Sequence, residues 1–451
     1  DDPNLMQNPS TKQWEPSIAV SDAGDIAIIW IGGGLWIKPA GGTWQKEIDV
    51  ASCDFDEACR QKKKTCGGDP IISWDDTTQR FIAVAKCADN PGAKDLNKEL
   101  GMGVVEKVTG QWQWKGWKSA AQIGYDWANL AVGPQTEYWI TGLTTKLPLL
   151  QKLESAVFYS PDGGLTWKKS PILEGMVALG FVSPGPNEVA GTLSGINFQD
   201  LKRAFQGKPA TTTISFFTLF ADSTAKEIQI TKFKENVAKV GMFFRGSLLG
   251  GLANCISGEC TGKPIPNTSS NLVRHGMSVD DVVGGRRTYR FIYNNDDNRS
   301  DGKVWGIGLW EAFSLDGGAT WNSQKIDGGL TGDPNDPHAW KDAHTGGLVR
   351  DSFTGKSHLF YHYRDGADTK DEFICYRTMD AGSTNWSSAC AIPQNSVPFT
   401  KDVTVSGTGR DYADLSVTNG KVGIVFELAP RSCQVGSSGC PPSILGILRN
   451  F

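Results

Sequence analysis

The sequence contains few of the features that mark membrane-spanning, nucleic-acid-binding or helical proteins. No run of about 18 apolar residues occurs, so the sequence offers no candidate membrane-spanning helix. The 45 basic and 49 acidic side chains nearly cancel, leaving a net charge of −4. This balance argues against nucleic acid as a partner, because nucleic-acid-binding proteins carry a strongly basic face. Long stretches rich in Leu, Ala, Glu and Lys, which favour helices, are also missing.

Turn-forming and aromatic residues are abundant instead. The 451 residues include 53 Gly, 22 Pro and 16 Trp, and 39% of the chain is hydrophobic, which is enough to bury a core. This composition predicts an all-β protein with many turns. The length fits one large closed β architecture, so we expect a single domain over residues 1–451.

The ten cysteines fall into local groups without the C-x-x-C spacing of a zinc site. The groups are Cys53, Cys59, Cys66 and Cys87; Cys255 and Cys260; Cys375 and Cys390; Cys433 and Cys440. Such close groups predict disulfides that pin surface loops and an oxidising compartment, either extracellular (secreted) or periplasmic. Free thiols in a cytosolic protein are the alternative. The sequence opens at Asp1 with no basic and apolar leader, so we expect a signal peptide to have been removed.

One pattern recurs along the chain: a short apolar strand, a tight polar turn and a second apolar strand. It is found at residues 15–30, 69–85, 127–143, 176–193, 278–293, 346–363 and 412–427. Each copy is typical of a β-hairpin, and an array of hairpins at intervals of about fifty residues indicates a β-propeller. We predict six or seven four-stranded blades, with seven favoured. Six would result if the weak copy at 176–193 and the stretch 232–276 were insertions.

A second repeated element follows several hairpins. Residues 160–167 and 314–321 both match S-x-D-x-G-x-T-W, and residues 378–386 carry a copy with one extra residue before the Trp. Residues 41–44 keep only the end of the motif. In such a turn the Asp accepts hydrogen bonds from backbone amides, glycines adopt positive φ, and the Trp packs between neighbouring blades.

This motif resembles the Asp-box, or BNR repeat, of the sialidase superfamily, and the hairpin repeats extend the resemblance over nearly the whole chain. The resemblance implies a propeller whose boxes are structural and lie on the outer rim. It also implies a central site with three arginines, a Tyr nucleophile activated by a Glu, and an Asp acid/base in an early loop. Function therefore has to be argued from the site residues.

At two positions the sequence departs from this family pattern. Glu15 stands where the first arginine is expected, and the turn at 31–36 offers no carboxylate for the acid/base. The last hairpin matches better: Tyr412 takes the nucleophile position, and Glu427 the position that normally braces the first arginine. Arg364 is a candidate for the third arginine.

Without the first arginine, Glu15 and Glu427 would face each other across the central funnel. Two neighbouring carboxylates cannot both ionise cheaply, and a general acid beside a base or nucleophile is glycosidase chemistry. We therefore predict a rebuilt glycosidase site in the funnel. Its catalytic candidates are Glu15, Asp69, Arg364, Tyr412 and Glu427. Alternatively, Glu15 caps a strand and is neutralised by solvent or Lys12.

Substrate-binding candidates come from three further stretches. A histidine-containing loop precedes the hairpin at 346–363, and Arg299 is a displaced candidate for the second arginine. The candidates are Arg299, His338, Trp340, His344 and Asp414. The histidines could instead support a polysaccharide lyase, in which His and Tyr remove a proton next to a uronate carboxyl, or could simply be satisfied within a sheet. Five tryptophans outside the boxes are available for stacking on sugars: Trp36, Trp127, Trp139, Trp305 and Trp340.

No cofactor is required by these assignments, although a structural calcium ion could bind at Asp296, Asp297 and Asp301. A solvated acidic loop is the alternative there. The expected partner is a carbohydrate or glycoprotein. Two function classes remain open, a glycan-active enzyme and a non-catalytic propeller that binds glycans or a protein.

Overall fold

The computed structural model describes a little over half of the chain, in segments spread from end to end. These segments are 14–45, 48–51, 65–88, 99–122, 129–144, 154–169, 173–174, 177–186, 188–195, 213–221, 230–234, 238–239, 263–264, 277–282, 286–296, 307–316, 320–330, 333, 336, 340–365, 372–387, 413–428 and 443–450. Across them the regular structure is β-strand, apart from one short 3-10 turn at Pro134–Thr136. The predicted all-β class is therefore confirmed.

The first half of the chain forms four antiparallel sheets. The first sheet contains β1 (Trp14–Val20), β2 (Ile26–Ile31), β3 (Gly34–Lys38) and β4 (Ile48–Asp49). The second contains β5 (Thr65–Asp75), β6 (Arg80–Ala88), β7 (Glu99–Val108) and β8 (Gln111–Gln122). The third contains β9 (Asn129–Val132), β10 (Tyr138–Thr144), β11 (Glu154–Ser160), β12 (Lys168–Lys169) and β13 (Leu173–Glu174). The fourth contains β14 (Val177–Gly185), β15 (Glu188–Gly195), β16 (Thr213–Ala221) and β17 (Ile230–Lys234).

The second half continues the same up-and-down order. A short parallel pair, β18 (Ala238–Lys239) and β19 (Lys263–Pro264), comes first. A continuous sheet follows, with β20 (Met277–Val282), β21 (Arg286–Asp296), β22 (Ile307–Ser314), β23 (Asn322–Leu330), β24 (Trp340–Arg350), β25 (Ser357–Asp365) and β26 (Glu372–Met379). The last sheet contains β27 (Ala413–Thr418), β28 (Lys421–Leu428) and β29 (Ser443–Asn450). The stretch 232–276, predicted to be an insertion or an extra blade, falls largely outside the described residues. Both that prediction and the prediction of a single domain over 1–451 stay predictions.

Every predicted hairpin is an antiparallel strand pair. The pairs are β1–β2, β5–β6, β9–β10, β14–β15, β20–β21, β24–β25 and β27–β28. The weak copy at 176–193 is thus a hairpin too. Alternating apolar residues and tight turns encode this local structure, which is why the sequence pattern locates it.

The first strands of these hairpins, here called the inner strands, form a closed ring. Each contacts the next in the order β1, β5, β9, β14, β20, β24 and β27, and β27 contacts β1. Side chains from neighbouring sheets fill the space between them; for example, Ile29 and Leu35 of the first sheet share a fully buried cluster with Phe81 and Val105 of the second. This ring of radially packed antiparallel sheets is a β-propeller.

The inner strands β1 and β27 run parallel to each other. The Ile18 amide donates to Asp414 Oδ2 (3.0 Å), the Val20 amide donates to Ser416 Oγ (3.0 Å), and Thr418 Oγ1 donates to the Val20 carbonyl (2.9 Å). We call the end of the ring at which the inner strands begin the front face. The opposite end, which carries the hairpin turns such as 21–25 and 351–356, is the back face.

The two segments that match S-x-D-x-G-x-T-W connect the third and fourth strands of their hairpin units, β11 to β12 and β22 to β23, and residues 317–319 of the second segment lie outside the described residues. Asp162 Oδ1 accepts from the Thr166 amide at 2.9 Å, and Asp316 Oδ1 accepts from the Thr320 amide at 2.8 Å. Trp321 is buried against Phe291, with ring centroids 5.5 Å apart. The shared residues thus give the two turns the same hydrogen bonds.

A disulfide joins Cys66 and Cys87, which are direct partners in the β5–β6 register with a Cα–Cα distance of 4.0 Å. Both residues are buried. The prediction that disulfides pin surface loops is wrong for this pair, because the two cysteines lie on adjacent strands of one sheet. Cys375 is also disulfide-bonded. The other cysteines named above lie outside the described residues.

Candidate functional site at the front face

Strand register puts the backbones of several predicted site residues at the front face. Glu15 lies in an irregular stretch of β1, between the paired residues Trp14 and Ser17. Glu427 is the next-to-last residue of β28, a strand that contacts β1. Both positions are therefore at the same end of neighbouring strands.

The hairpin formed by β24 and β25 brings a second group to this end. Trp340 is the first residue of β24, and His344 pairs with His362 in its first half. Arg364 pairs with Asp342 near the end of β25. Since β24 contacts β27, these backbones belong to the same end of the ring.

Five of the predicted site residues lie outside the described residues: Asp297, Arg299, Asp301, His338 and Tyr412. Asp296 is the last residue of β21, again at the front face. Within the described segments no group of three His, Cys, Asp or Glu side chains is arranged to hold a metal ion. The calcium site therefore stays a prediction.

Asp414, one of the predicted site residues, accepts three hydrogen bonds. Its Oδ2 accepts from Ser17 Oγ (2.6 Å) and from the Ile18 amide (3.0 Å), and its Oδ1 accepts from the Leu415 amide (2.8 Å). Burial raises the pKa of Asp414 above its ordinary value, although these three donors act in the opposite direction. The carboxyl group thus joins the last inner strand to the first, and its assignment to substrate binding stays a prediction.

The hydroxyl of Ser17 extends this junction to a third inner strand. Ser17 Oγ donates to Asp414 and accepts from the Ile72 amide of β5 at 3.1 Å. This buried hydroxyl links β27, β1 and β5, and it therefore fixes the relative positions of these three strands at the front face.

Asp69 lies three residues before Ile72 on β5, nearer the front face. Its Oδ2 is 3.0 Å from Lys86 Nζ on the neighbouring strand, and the side chains are 15% and 20% exposed. Asp69 has a positive φ of 44° and sits among two register irregularities of the β5–β6 pair. Positive φ is uncommon for Asp and often marks functional sites.

The turn between β2 and β3 also reaches this end and contains no carboxylate. Gly32 and Gly33 have φ values of 100° and 82°, and the Gly32 amide donates to the Gly67 carbonyl at 3.2 Å. A β-carbon on Gly33 would lie 2.5 Å from Ala51, so this position accepts only glycine. The turn is closed against β5 and has no room for an acid/base loop.

One aromatic assignment changes with the structure. Trp139, predicted to be available for sugar stacking, is 1% exposed and packs on Tyr159 with ring centroids 4.3 Å apart, so that prediction is wrong. Trp36 is partly buried between Trp30 and Trp44, at centroid distances of 5.2 and 6.2 Å. Trp127 and Trp305 lie outside the described residues. Trp139 is buried because it pairs in the middle of a sheet.

His358 lies near the back face and is buried. Its Nδ1 makes a hydrogen bond with the hydroxyl of Tyr376, and burial lowers the pKa of His358 to about 4. A neutral histidine bonded to a tyrosine within a sheet has a structural role.

Sequence reasoning missed Lys86 and Ser17. Lys86 interrupts the apolar run 81–85, and Ser17 is a polar residue within an apolar strand. Such polar residues indicate a buried hydrogen bond or ion pair, because a charged or hydroxyl side chain on a buried strand needs a partner. The identity of the partners depends on packing between strands.

No protein-family model matches the chain, and no curated protein has a significantly similar sequence. Solved structures with a similar fold include the polysaccharide lyase Uly1, at 10% identity and a TM-score of 0.49, with 96% of this chain and 89% of that chain covered. The Hadza microbial sialidase Hz136 has 12% identity and a TM-score of 0.41, with 95% and 74% covered. The GH93 α-L-arabinofuranosidase of Fusarium graminearum, in complex with arabinobiose, has 10% identity and a TM-score of 0.41, with 82% and 89% covered. These similarities concern the fold and assign no role to individual residues.

In the described part of the chain, no helix has the length and apolar character needed to cross a membrane.

Proposed function

We propose that this chain is a glycan-active enzyme with seven sialidase-like blades, Asp-box turns and a rebuilt carboxylate and tyrosine site on the front face. The observation that carries the proposal is the 2.6 Å hydrogen bond from Ser17 to Asp414, which joins the starts of β1 and β27. Glu15 precedes Ser17 by two residues, and Tyr412 precedes Asp414 by two. A propeller that closes in this way favours one shared site for residues from both ends of the chain.

In the proposed reaction, Tyr412 attacks the anomeric carbon after Glu427 accepts its proton. Glu15 protonates the leaving glycosidic oxygen and later takes a proton from the water that displaces Tyr412 from the sugar, while Glu427 returns its proton to the Tyr412 oxygen. Arg364, His338, His344, Trp340 and Arg299 hold the substrate. The carbohydrate or glycoprotein substrate would be met in a secreted or periplasmic setting, which the Cys66–Cys87 disulfide supports.

The test is turnover on fluorogenic sialosides, neutral aryl glycosides and uronate-containing polysaccharides. We expect Y412F to abolish hydrolysis, and E15Q and E427Q to lower it by about 100-fold or more. The control is E106Q, because Glu106 forms an exposed pair with Lys115 at 3.1 Å on the outer strands β7 and β8. Full activity of Y412F would remove Tyr412 from the mechanism. Absence of turnover on every substrate would overturn the enzymatic proposal.

One observation favours a second candidate, a non-catalytic propeller that binds glycans. The glycine turn at 32–33 is closed against β5, at the position where the family resemblance implies the acid/base carboxylate. Binding on a glycan array without turnover of any bound glycan would support this second function. Turnover with formation of an unsaturated uronate would instead favour a lyase, and H344A should then abolish it.

A further inference from the structure

Lys86 is a charged residue at the front face that the proposed mechanism does not use. It lies on β6, and its Nζ is 3.0 Å from Asp69 Oδ2. The Lys86 side chain is 20% exposed and the Asp69 side chain 15%, so both side chains are partly accessible to solvent. The pair therefore presents a donor and an acceptor side by side.

Gly68 makes room for this lysine. Gly68 and Lys86 are partners in the β5–β6 register, and a β-carbon on Gly68 would lie 2.6 Å from Lys86 Cε and 3.4 Å from Nζ. A residue with a side chain would push the end of the lysine away from Asp69. The glycine thus determines where the ammonium group lies.

The backbone around the pair is fixed by two further features. The disulfide joins Cys66 and Cys87, the pair that precedes Gly68–Lys86 in the β5–β6 register. Register irregularities on both sides of Gly68 turn Asp69 into its left-handed conformation. The cross-link fixes the two strands next to Asp69 and Lys86, and a pre-organised backbone lowers the entropy cost of binding a ligand.

We propose that Lys86 is a substrate-binding residue, positioned by Gly68 and Asp69, and that the pair recognises two neighbouring hydroxyl groups of an uncharged sugar. The inference rests on the proposed function. The Lys86 ammonium donates to one hydroxyl oxygen, while the Asp69 carboxylate accepts from the adjacent hydroxyl. Because Asp69 lies beside Lys86, a carboxylate on the sugar that approached the ammonium group would also be repelled by Asp69. Hydroxyl groups gain from both.

The experiment compares variants on the neutral aryl glycoside that the wild type turns over best, and measures binding of the corresponding methyl glycoside and its monodeoxy derivatives by calorimetry. We expect K86M to lower kcat/KM by about 10- to 100-fold, mainly through KM. G68A keeps both charges and should give a similar loss. The control variants are K115M, which breaks an exposed lysine pair on the same sheet, and G42A, in an exposed turn.

The monodeoxy sugars distinguish a substrate-binding role of Lys86 from a purely structural role. The wild type should bind one monodeoxy derivative about 10-fold more weakly than the parent, and K86M should bind the two equally. Equal discrimination by K86M and wild type, or activity of K86M equal to that of K115M, would overturn the inference while leaving the proposed function intact. A wild-type preference for sialosides or uronates over neutral glycosides would also overturn it. If the wild type neither binds nor cleaves any glycan, the proposed function fails and this inference fails with it.

Discussion

The side chain of Ser17 donates a 2.6 Å hydrogen bond to Asp414, a residue 397 positions later in the chain. Ser17 is also the acceptor for the Ile72 amide, so one hydroxyl links the first, second and last inner strands. This junction closes the ring at the front face. Its strength should therefore affect both the stability of the propeller and the geometry of the proposed site.

Replacing Asp414 should destabilise the closed ring. D414A leaves the Ser17 hydroxyl and the Ile18 and Leu415 amides without their acceptor, so we expect a loss of about 1–3 kcal/mol in the free energy of unfolding. Urea unfolding with intact disulfides measures it. D49A is the control, because Asp49 accepts one hydrogen bond from the Ala51 amide in an exposed position. If D414A and D49A unfold at the same urea concentration, the junction does not hold the ring together.

The ion pair between Arg290 and Glu311 should behave as a buried unit. The Nη1–Oε1 distance is 2.9 Å, and the side chains are 1% and 0% exposed. Glu311 Oε2 also accepts from Gln324 and from the Trp386 indole, and Arg290 donates to the Ser383 carbonyl at 2.8 Å. The network thus anchors the turn at 380–386 to the preceding hairpin unit.

Breaking this pair on one side should cost more than removing both charges. We expect R290M to lower the free energy of unfolding by about 3–5 kcal/mol because it leaves Glu311 buried without its cation, and the double variant R290M/E311L to be less destabilised. Thermal and urea unfolding of both variants test this. A double variant that is less stable than R290M would contradict it.

His358 should make stability depend on pH in a defined window. Burial lowers its pKa from 6.5 to about 4, so between these values the unfolded chain binds a proton that the folded protein does not. The contribution of His358 to stability should therefore fall by about 3 kcal/mol as pH decreases from about 6.5 to about 4. Asp25 and Asp351, whose pKa values are lowered from 3.8 by hydrogen bonds that outweigh burial, contribute stability that is lost only at lower pH. Burial raises the pKa values of Asp414 and Glu311, so these two groups act in the opposite direction from about pH 4 upwards, and only the comparison with a His358 variant isolates the histidine.

The measurement is urea unfolding of wild type and H358Q at several pH values between 4 and 7.5. Glutamine cannot take up the proton, so the H358Q curve should be flatter across the window. Parallel pH profiles for the two proteins would show that His358 is not the titrating group.

Removing the Cys66–Cys87 disulfide should affect stability and the front face together. The bridge closes a loop between residues 21 apart in sequence, so C66A/C87A should lower the free energy of unfolding by about 2–4 kcal/mol. The strands that carry Asp69 and Lys86 would also lose their cross-link. Unfolding of C66A/C87A and its affinity for the methyl glycoside measure the two effects. Unchanged stability would rule out a stabilising role for the bridge.

The sequence predicts much of the local structure. Alternating apolar residues around tight turns locate all the hairpins from β1–β2 to β27–β28. The motif S-x-D-x-G-x-T-W likewise predicts the hydrogen bonds of Asp162 and Asp316. These features depend on residues within a few positions of one another, and a periodic pattern is sufficient to specify them.

Local sequence patterns do not predict the contacts between distant strands. The sequence predicts Asp414 as a site residue, but its bond to Ser17 exists only because the ring closes and sets β27 beside β1. Trp139 illustrates the same limit, since its burial depends on the strands that flank β10.

By itself, then, the sequence determined the β class, the hairpins and the turns, because each follows from local spacing and backbone preference. The tertiary structure decided that Asp69 meets Lys86 over a glycine, that a disulfide lies between paired strands, and that Ser17 meets Asp414. These pairings require strands to be positioned in register around a closed ring, and no local pattern encodes that register.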